Sequence, residues 1–184
     1  EAWLIAWDRR LLGDAVARFS GWPRALVGVL DAAYVGCFLL VPAGFAALVA
    51  GGRADLADRY WTMVMGAELG SFAALPYLRT RPPWVLDQRS GAGGARGAPD
   101  RLSLTFMKHA TTGANTLPSG HAAGSLAVAL AVIGALPLVG AVLLVLALTI
   151  CLSAIVARAH YVVDIVTGLA LALAIWWIAS MVGS

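Results

Sequence analysis

The stretch HAAGSLAVALAVIGALPLVGAVLLVLALTICLSAIVA, residues 121–157, contains no Asp, Glu, Lys or Arg. As one helix rising ~1.5 Å per residue it would reach about 55 Å, nearly twice the ~30 Å hydrocarbon core of a bilayer. The run must therefore fold back on itself. Gly134, Pro137 and Gly140 mark the place, because glycine and proline punctuate helices. The reading gives two spans, about 119–135 and 137–157, joined by a tight hairpin.

Working outward, three more apolar segments are long enough to cross a membrane: about 24–50, 60–78 and 161–182. The expected fold is all-α, a polytopic membrane helical bundle with five spans. The whole chain, 1–184, reads as one membrane-embedded domain. Composition agrees: 60% of the residues are hydrophobic, 12% are charged, and the mean hydropathy is +0.82. A water-soluble domain of this size cannot bury that much apolar surface. Residues 1–22 mix Trp3, Leu4, Ile5 and Trp7 with Arg9, Arg10 and Arg18, the pattern of an interfacial segment with aromatics at headgroup level. Residues 79–117 form a polar loop with SGAGGARGAPD, 90–100, at its centre. The two cysteines, Cys37 and Cys151, lie inside apolar segments and read as packing residues.

Counting spans brings three polar motifs to one membrane face: RTRPPW (79–84), PSGH (118–121) and RAHYVVD (158–164). His160 and Asp164 are four apart and share a helical face. A carboxylate there can take the proton of one imidazole nitrogen, leaving the other as a nucleophile. His121 follows a Pro-Ser-Gly turn at a helix start, where free N–H groups and the helix dipole favour an anion. From there it can protonate a leaving oxygen as general acid. Arg79, Arg81 and Arg158 are candidates to neutralise a phosphate. Arginine charge meets the need for compensation without a metal or other cofactor.

PSGH and HYVVD, separated by one helical hairpin, resemble the second and third motifs of the type 2 phosphatidic acid phosphatase superfamily. The resemblance covers about Asp31 to the end of the chain. It implies His160 as nucleophile, Asp164 as its orienting partner and His121 as general acid, with Ser119 and Gly120 holding phosphate oxygens. It also implies a covalent phosphohistidine, then transfer to water or an alcohol. Two positions depart from the family pattern. Arg81-Pro82 fits the first motif, but Ala74 stands at its lysine position. Ser153 fits the third motif, but Ala154 stands where an arginine is usual. Arg158, Arg79 or Lys108 is the expected replacement for the lost charge. RPPW and AHYVVDIV are closest in style to the inositol phosphorylceramide synthase and sphingomyelin synthase branch. The family core has six spans, which implies that one helix precedes Glu1 or has been lost.

The resulting expectation is a lipid phosphatase acting on a lipid phosphate or diphosphate, with that substrate and the bilayer as its partners and no nucleic acid. The alternatives are a phosphotransferase with an alcohol acceptor and a non-catalytic transporter or channel. The features favouring a transporter are Asp31 and Glu68, two intramembrane carboxylates. A zinc hydrolase built on His109, His121 and His160 lacks the usual ligand spacing. A serine hydrolase at Ser119 lacks G-x-S-x-G. The excess of arginine on the site face points to the cytoplasm by the positive-inside rule, but several of these arginines are phosphate candidates. The resemblance implies an outward-facing site in a bacterial inner membrane, and that is the expected orientation.

Overall fold

A computed structural model describes residues 1–74, 76–78, 80–89, 105, 107, 109 and 117–182. Among them there is no strand. The chain forms α1 (Ala2–Leu12), α2 (Ala15–Ser20) and α3 (Arg24–Ala50). A short 3₁₀ turn (Ala54–Leu56) leads into α4 (Ala57–Ala73), and α5 (Pro83–Arg89) follows. The last three helices are α6 (Gly120–Ile133), α7 (Pro137–Val156) and α8 (Val162–Val182). The protein is an all-helical membrane bundle.

The centre of the bundle is α6. Ala122, Ala123, Gly124, Ser125, Leu126, Ala127, Val128, Ala129, Ala131 and Val132 are all buried. Small side chains on every face let α3, α4, α7 and α8 approach it together. The surrounding helices turn Phe38, Leu39, Leu69, Leu138, Val145, Leu148 and Trp177 outward. In water such a surface would aggregate; against lipid tails it is matched. On the side of α4 facing α8, side chains at Gly66 and Gly70 would meet Ile175 and Leu171 at 3.2 Å. Two glycines four apart thus let these helices cross closely.

Three helices are long and apolar enough to cross a membrane: α3, α7 and most of α8. The other two expected spans are shorter, 17 residues for α4 and 14 for α6. The causes are local. α4 ends at Ala73, three residues before Pro76, rather than near residue 78. α6 starts only after the Pro118-Ser119 cap and ends before Gly134. At ~1.5 Å per residue α6 rises about 21 Å, so its first residues lie below the ends of its longer neighbours. The Gly-rich centre of the expected 79–117 loop lies outside the described residues.

The α6–α7 hairpin is as tight as the charge-free run requires. Pro137 occupies the first turn of α7, where its missing N–H costs nothing. A Cβ at Gly140 would come within 2.2 Å of the Cα of Ile133, a backbone atom that cannot move aside. Gly140→Ala should therefore cost about 1–3 kcal/mol, the usual range for overpacking. A thermal midpoint in detergent, followed by tryptophan fluorescence, will read this as a clear downward shift; an unchanged midpoint would mean the hairpin is looser than described.

Candidate active site

Ser119 caps α6. Its Oγ accepts the Ala122 N–H at 3.3 Å and its carbonyl accepts the Ala123 N–H. Its own amide donates to the Asp164 carbonyl at 2.9 Å. A Cβ on Gly168 would lie 2.4 Å from the Ser119 carbonyl oxygen. The start of α6 thus meets α8 between Asp164 and Gly168, two to six residues below the start of α8 at Val162. At ~1.5 Å per residue that recess is about 3–9 Å.

Two residues beyond the cap, His121 stacks on Tyr34 of α3 (centroids 4.8 Å apart, planes at 14°) and has Phe38 at its edge. Across from it stands His160, 7% exposed. His160 Nε2 and His121 Nδ1 are 3.3 Å apart. His160 Nδ1 lies 3.6 Å from Asp164 Oδ2, an electrostatic contact longer than a hydrogen bond. That same carboxylate oxygen accepts the Tyr161 N–H at 2.8 Å. Asp164 is wholly buried. Its Oδ1 and the Nε2 of His121 are buried without a hydrogen-bond partner. Two such orphans, one on each side of His160 in the array, are costly in a resting fold, and are natural where a ligand completes the bonding.

The turn that carries His160 is short. The Ala159 and His160 amides both donate to the Ala154 carbonyl, and Arg158 takes a left-handed φ of 62°, which is strained for a side chain of this size. Ala154, at the family's arginine position, is fully buried.

The cations are placed differently from the chemistry read in the sequence. Arg158 donates Nη1 to Asp8 Oδ2 at 3.1 Å and Nε to Asp87 Oδ2 at 3.0 Å. Its carbonyl accepts the Trp84 N–H at 2.9 Å. Arg81 holds Glu1 through its backbone N–H, Nε and Nη2, at 2.9, 2.9 and 2.7 Å. The Arg81 carbonyl accepts the Tyr161 hydroxyl at 3.1 Å. The Arg81 guanidinium holds the Glu1 carboxyl down at about 2, so that pair stays ionised across the physiological range. Burial pushes the Asp8 carboxyl up, while the Val162 N–H and Arg158 pull it back. Burial also raises the Tyr161 phenol, which keeps it a donor.

The structure therefore brings Ser119, Gly120, His121, His160 and Asp164 together, and seats Arg81 and Arg158 beside them in ion pairs with acids. Arg79 and Lys108 lie outside the described residues. His109 is exposed, and among the described residues no three His, Cys, Asp or Glu side chains gather as a metal site. Asp31 is buried in α3, and Glu68 packs against Gly120 and Gly124 of α6. The sequence reading missed Glu1, Asp8, Asp87, Tyr34 and Tyr161. One signal was present for Asp8: it falls four residues after Leu4, on the same face of α1, and both are buried.

Residues 2–178 match the sequence pattern of the PAP2 superfamily. The chain belongs to that superfamily. The match runs through α1 as well as the bundle, beyond the Asp31 start of the motif resemblance. Membership in the PAP2 superfamily points to phosphatase or phosphotransferase chemistry on a phosphorylated substrate. The three long apolar helices make this an integral membrane member. No curated protein and no solved structure matches the chain.

The approach of α8 to the α6 cap gives a test of the geometry. Gly168→Ala must part Ser119 from Asp164, because the obstructing atom is backbone. The expected loss is about 1–3 kcal/mol of stability, with faster hydrogen exchange at the Ser119 amide. Exchange at wild-type rate would contradict the contact.

Proposed function

We propose that this PAP2 protein is a metal-independent membrane lipid phosphatase, hydrolysing a lipid phosphate or diphosphate through a phosphohistidine on His160. The observation carrying the proposal is the array Asp164–His160–His121 at the capped start of α6, with its two unpartnered buried atoms.

With Asp164 beside Nδ1 of His160, the proton of that ring belongs on Nδ1 and the lone pair on Nε2. The hydrogen between the rings is then carried by Nδ1 of His121. A phosphoryl group entering the recess displaces this contact and parts the rings. Its negative charge favours the imidazolium form of His121, whose second proton sits on Nε2. Nε2 of His160 attacks phosphorus as the P–O bond to the lipid breaks. His121 delivers its Nδ1 proton to the leaving oxygen and becomes neutral. Water then attacks the phosphohistidine, His121 takes the proton back, and phosphate leaves with His160 restored. Asp164 stabilises the charge that forms on His160 at each attack.

Ser119 and Gly120 belong to the phosphate cradle in this reading, together with Arg81, Arg79 and Lys108 as sources of positive charge, while Arg158 is held away by Asp8 and Asp87. Arg81 is the best supported of the three. Its three donors already hold a carboxylate, and a phosphate offers the same acceptor geometry. Glu1 is then the anion that substrate replaces. Glu1→Gln should strengthen inhibition by inorganic phosphate severalfold and lower KM, with kcat little changed. Inhibition constants equal to the wild type's would remove Arg81 from the cradle.

RPPW, AHYVVDIV and the missing third-motif arginine favour one second reading, the phosphotransferase branch, in which an alcohol takes the place of water. The two readings share the first half-reaction. The outward orientation in a bacterial inner membrane, expected from the family, remains part of the proposal.

The roles of the two histidines separate experimentally. His160→Ala should abolish turnover and covalent labelling with every substrate. His121→Ala should lose most activity on a lipid phosphate, whose alkoxide must be protonated. It should keep far more on an aryl phosphate, whose phenolate leaves unaided. Single-turnover labelling with a radioactive phosphoryl donor decides the matter, with product analysis in the presence of lipid alcohols to separate hydrolysis from transfer. Label trapped by His160→Ala and lost from His121→Ala would exchange the two roles.

A further inference from the structure

Arg158 is two residues before His160, and two carboxylates from outside the bundle core hold it. Asp8 comes from α1 and Asp87 from α5, 150 and 71 residues away in sequence. Asp8 is 5% exposed, and both of its oxygens are used. Oδ2 takes Nη1 of Arg158, and Oδ1 takes the Val162 N–H at 2.9 Å. Val162 is the first residue of α8. Asp8 therefore grips the His160 turn on both sides, at residue 158 before it and at residue 162 after it. The turn needs gripping, since Arg158 sits at a φ of 62°, a conformation that neighbouring contacts must impose. The α5 side adds a second hold, through Asp87 on the Arg158 side chain and the Trp84 N–H on its carbonyl.

We infer that Asp8 is a positioning residue for His160, acting through Arg158 and the Val162 amide. The inference rests on the proposal that His160 is the nucleophile. It gives Arg158 a different task from neutralising phosphate, since its guanidinium is spent on Asp8 and Asp87. It also gives α1 a task beyond lying at the interface. The outer face of α1 carries Trp3, Trp7 and Leu11, each about half exposed, while its inner face carries Leu4 and Asp8. The helix that exposes its aromatics on one side thus braces the His160 turn on the other.

The test compares wild type, Asp8→Ala, Asp8→Asn and His160→Ala in detergent micelles. One measurement is kcat and KM on an aryl phosphate. The other is the rate at which diethyl pyrocarbonate modifies His160, followed by mass spectrometry, with exposed His109 as internal reference. Asp8→Ala should lower kcat about 10²-fold, the cost of a displacement near 1 Å, while KM changes little. His160 modification should accelerate severalfold, and His109 should react as before. Asp8→Asn keeps an acceptor for Val162 and loses the charge facing Arg158, so it should fall between wild type and Asp8→Ala in both measurements. Wild-type kcat and wild-type His160 reactivity in Asp8→Ala would overturn the inference. If Asp8→Ala does not fold, wild-type values in Asp8→Asn would overturn it equally. Full activity in His160→Ala would instead remove the nucleophile assignment, and the modification rate would still judge the Asp8 contact.

Discussion

A backbone hydrogen bond sets the two halves of the candidate site against each other. The Ser119 amide donates to the Asp164 carbonyl at 2.9 Å, tying the start of α6 to the first turn of α8. Everything reactive is placed with respect to it. His121 is two residues beyond the donor, and Asp164 supplies the acceptor and faces His160. The bond exists because α6 stops short. A helix capped at Ser119 and broken at Gly134 rises only about 21 Å, so its polar end is sunk beside the longer α8. The glycine at 168 allows the backbones to touch there. In the proposed reaction a recess of this depth would bring phosphoryl chemistry below the helix ends, toward the level where a lipid headgroup joins its tails.

Much of this was legible in the sequence, and the reasons are physical. A run of 37 residues without charge, 121–157, has few options in a bilayer, so its hairpin could be located from Gly134, Pro137 and Gly140. The i,i+4 spacing of His160 and Asp164 fixed a shared face, since helical geometry admits little else. Span counting then brought His121 to the same membrane face, and the structure has it 3.3 Å from His160. Arg81 and Arg158 were located near the site, but their partners were not readable. Glu1, Asp8 and Asp87 are 80, 150 and 71 residues from the arginines they hold. No local period encodes a contact at that range. The length of α4 was also misjudged, because the apolar run continues to Leu78 while Pro76 ends the helix earlier.

The paired state of the arginines changes how the charge of the site is understood. A guanidinium in a partly desolvated recess is expensive without a counter-ion. Among the described residues, Arg81 and Arg158 both have one, yet the two pairs differ in kind. The Arg158 pair is enclosed: its guanidinium side chain is 19% exposed and the Asp8 side chain 8%. Both oxygens of Asp8 are engaged, so withdrawing either member would leave a buried charge alone. The Arg81 pair lies nearer the surface, at 43% and 23%, where an ion pair contributes little and is readily exchanged.

That difference assigns the two arginines to different tasks. An exchangeable pair suits a ligand site, because an incoming phosphate trades one anion for another and the cation is never left bare. An enclosed pair suits a frame, because its geometry survives turnover. The family's third-motif arginine position is filled here by the buried Ala154, so this chain lacks a guanidinium six residues before His160. It has one two residues before, directed away toward acids of α1 and α5. The charge that the alanine removes from the cradle is therefore not restored by Arg158 while those acids hold it. In the proposed reaction the phosphate would then draw its compensation from the Arg81 side and from the amides at the start of α6.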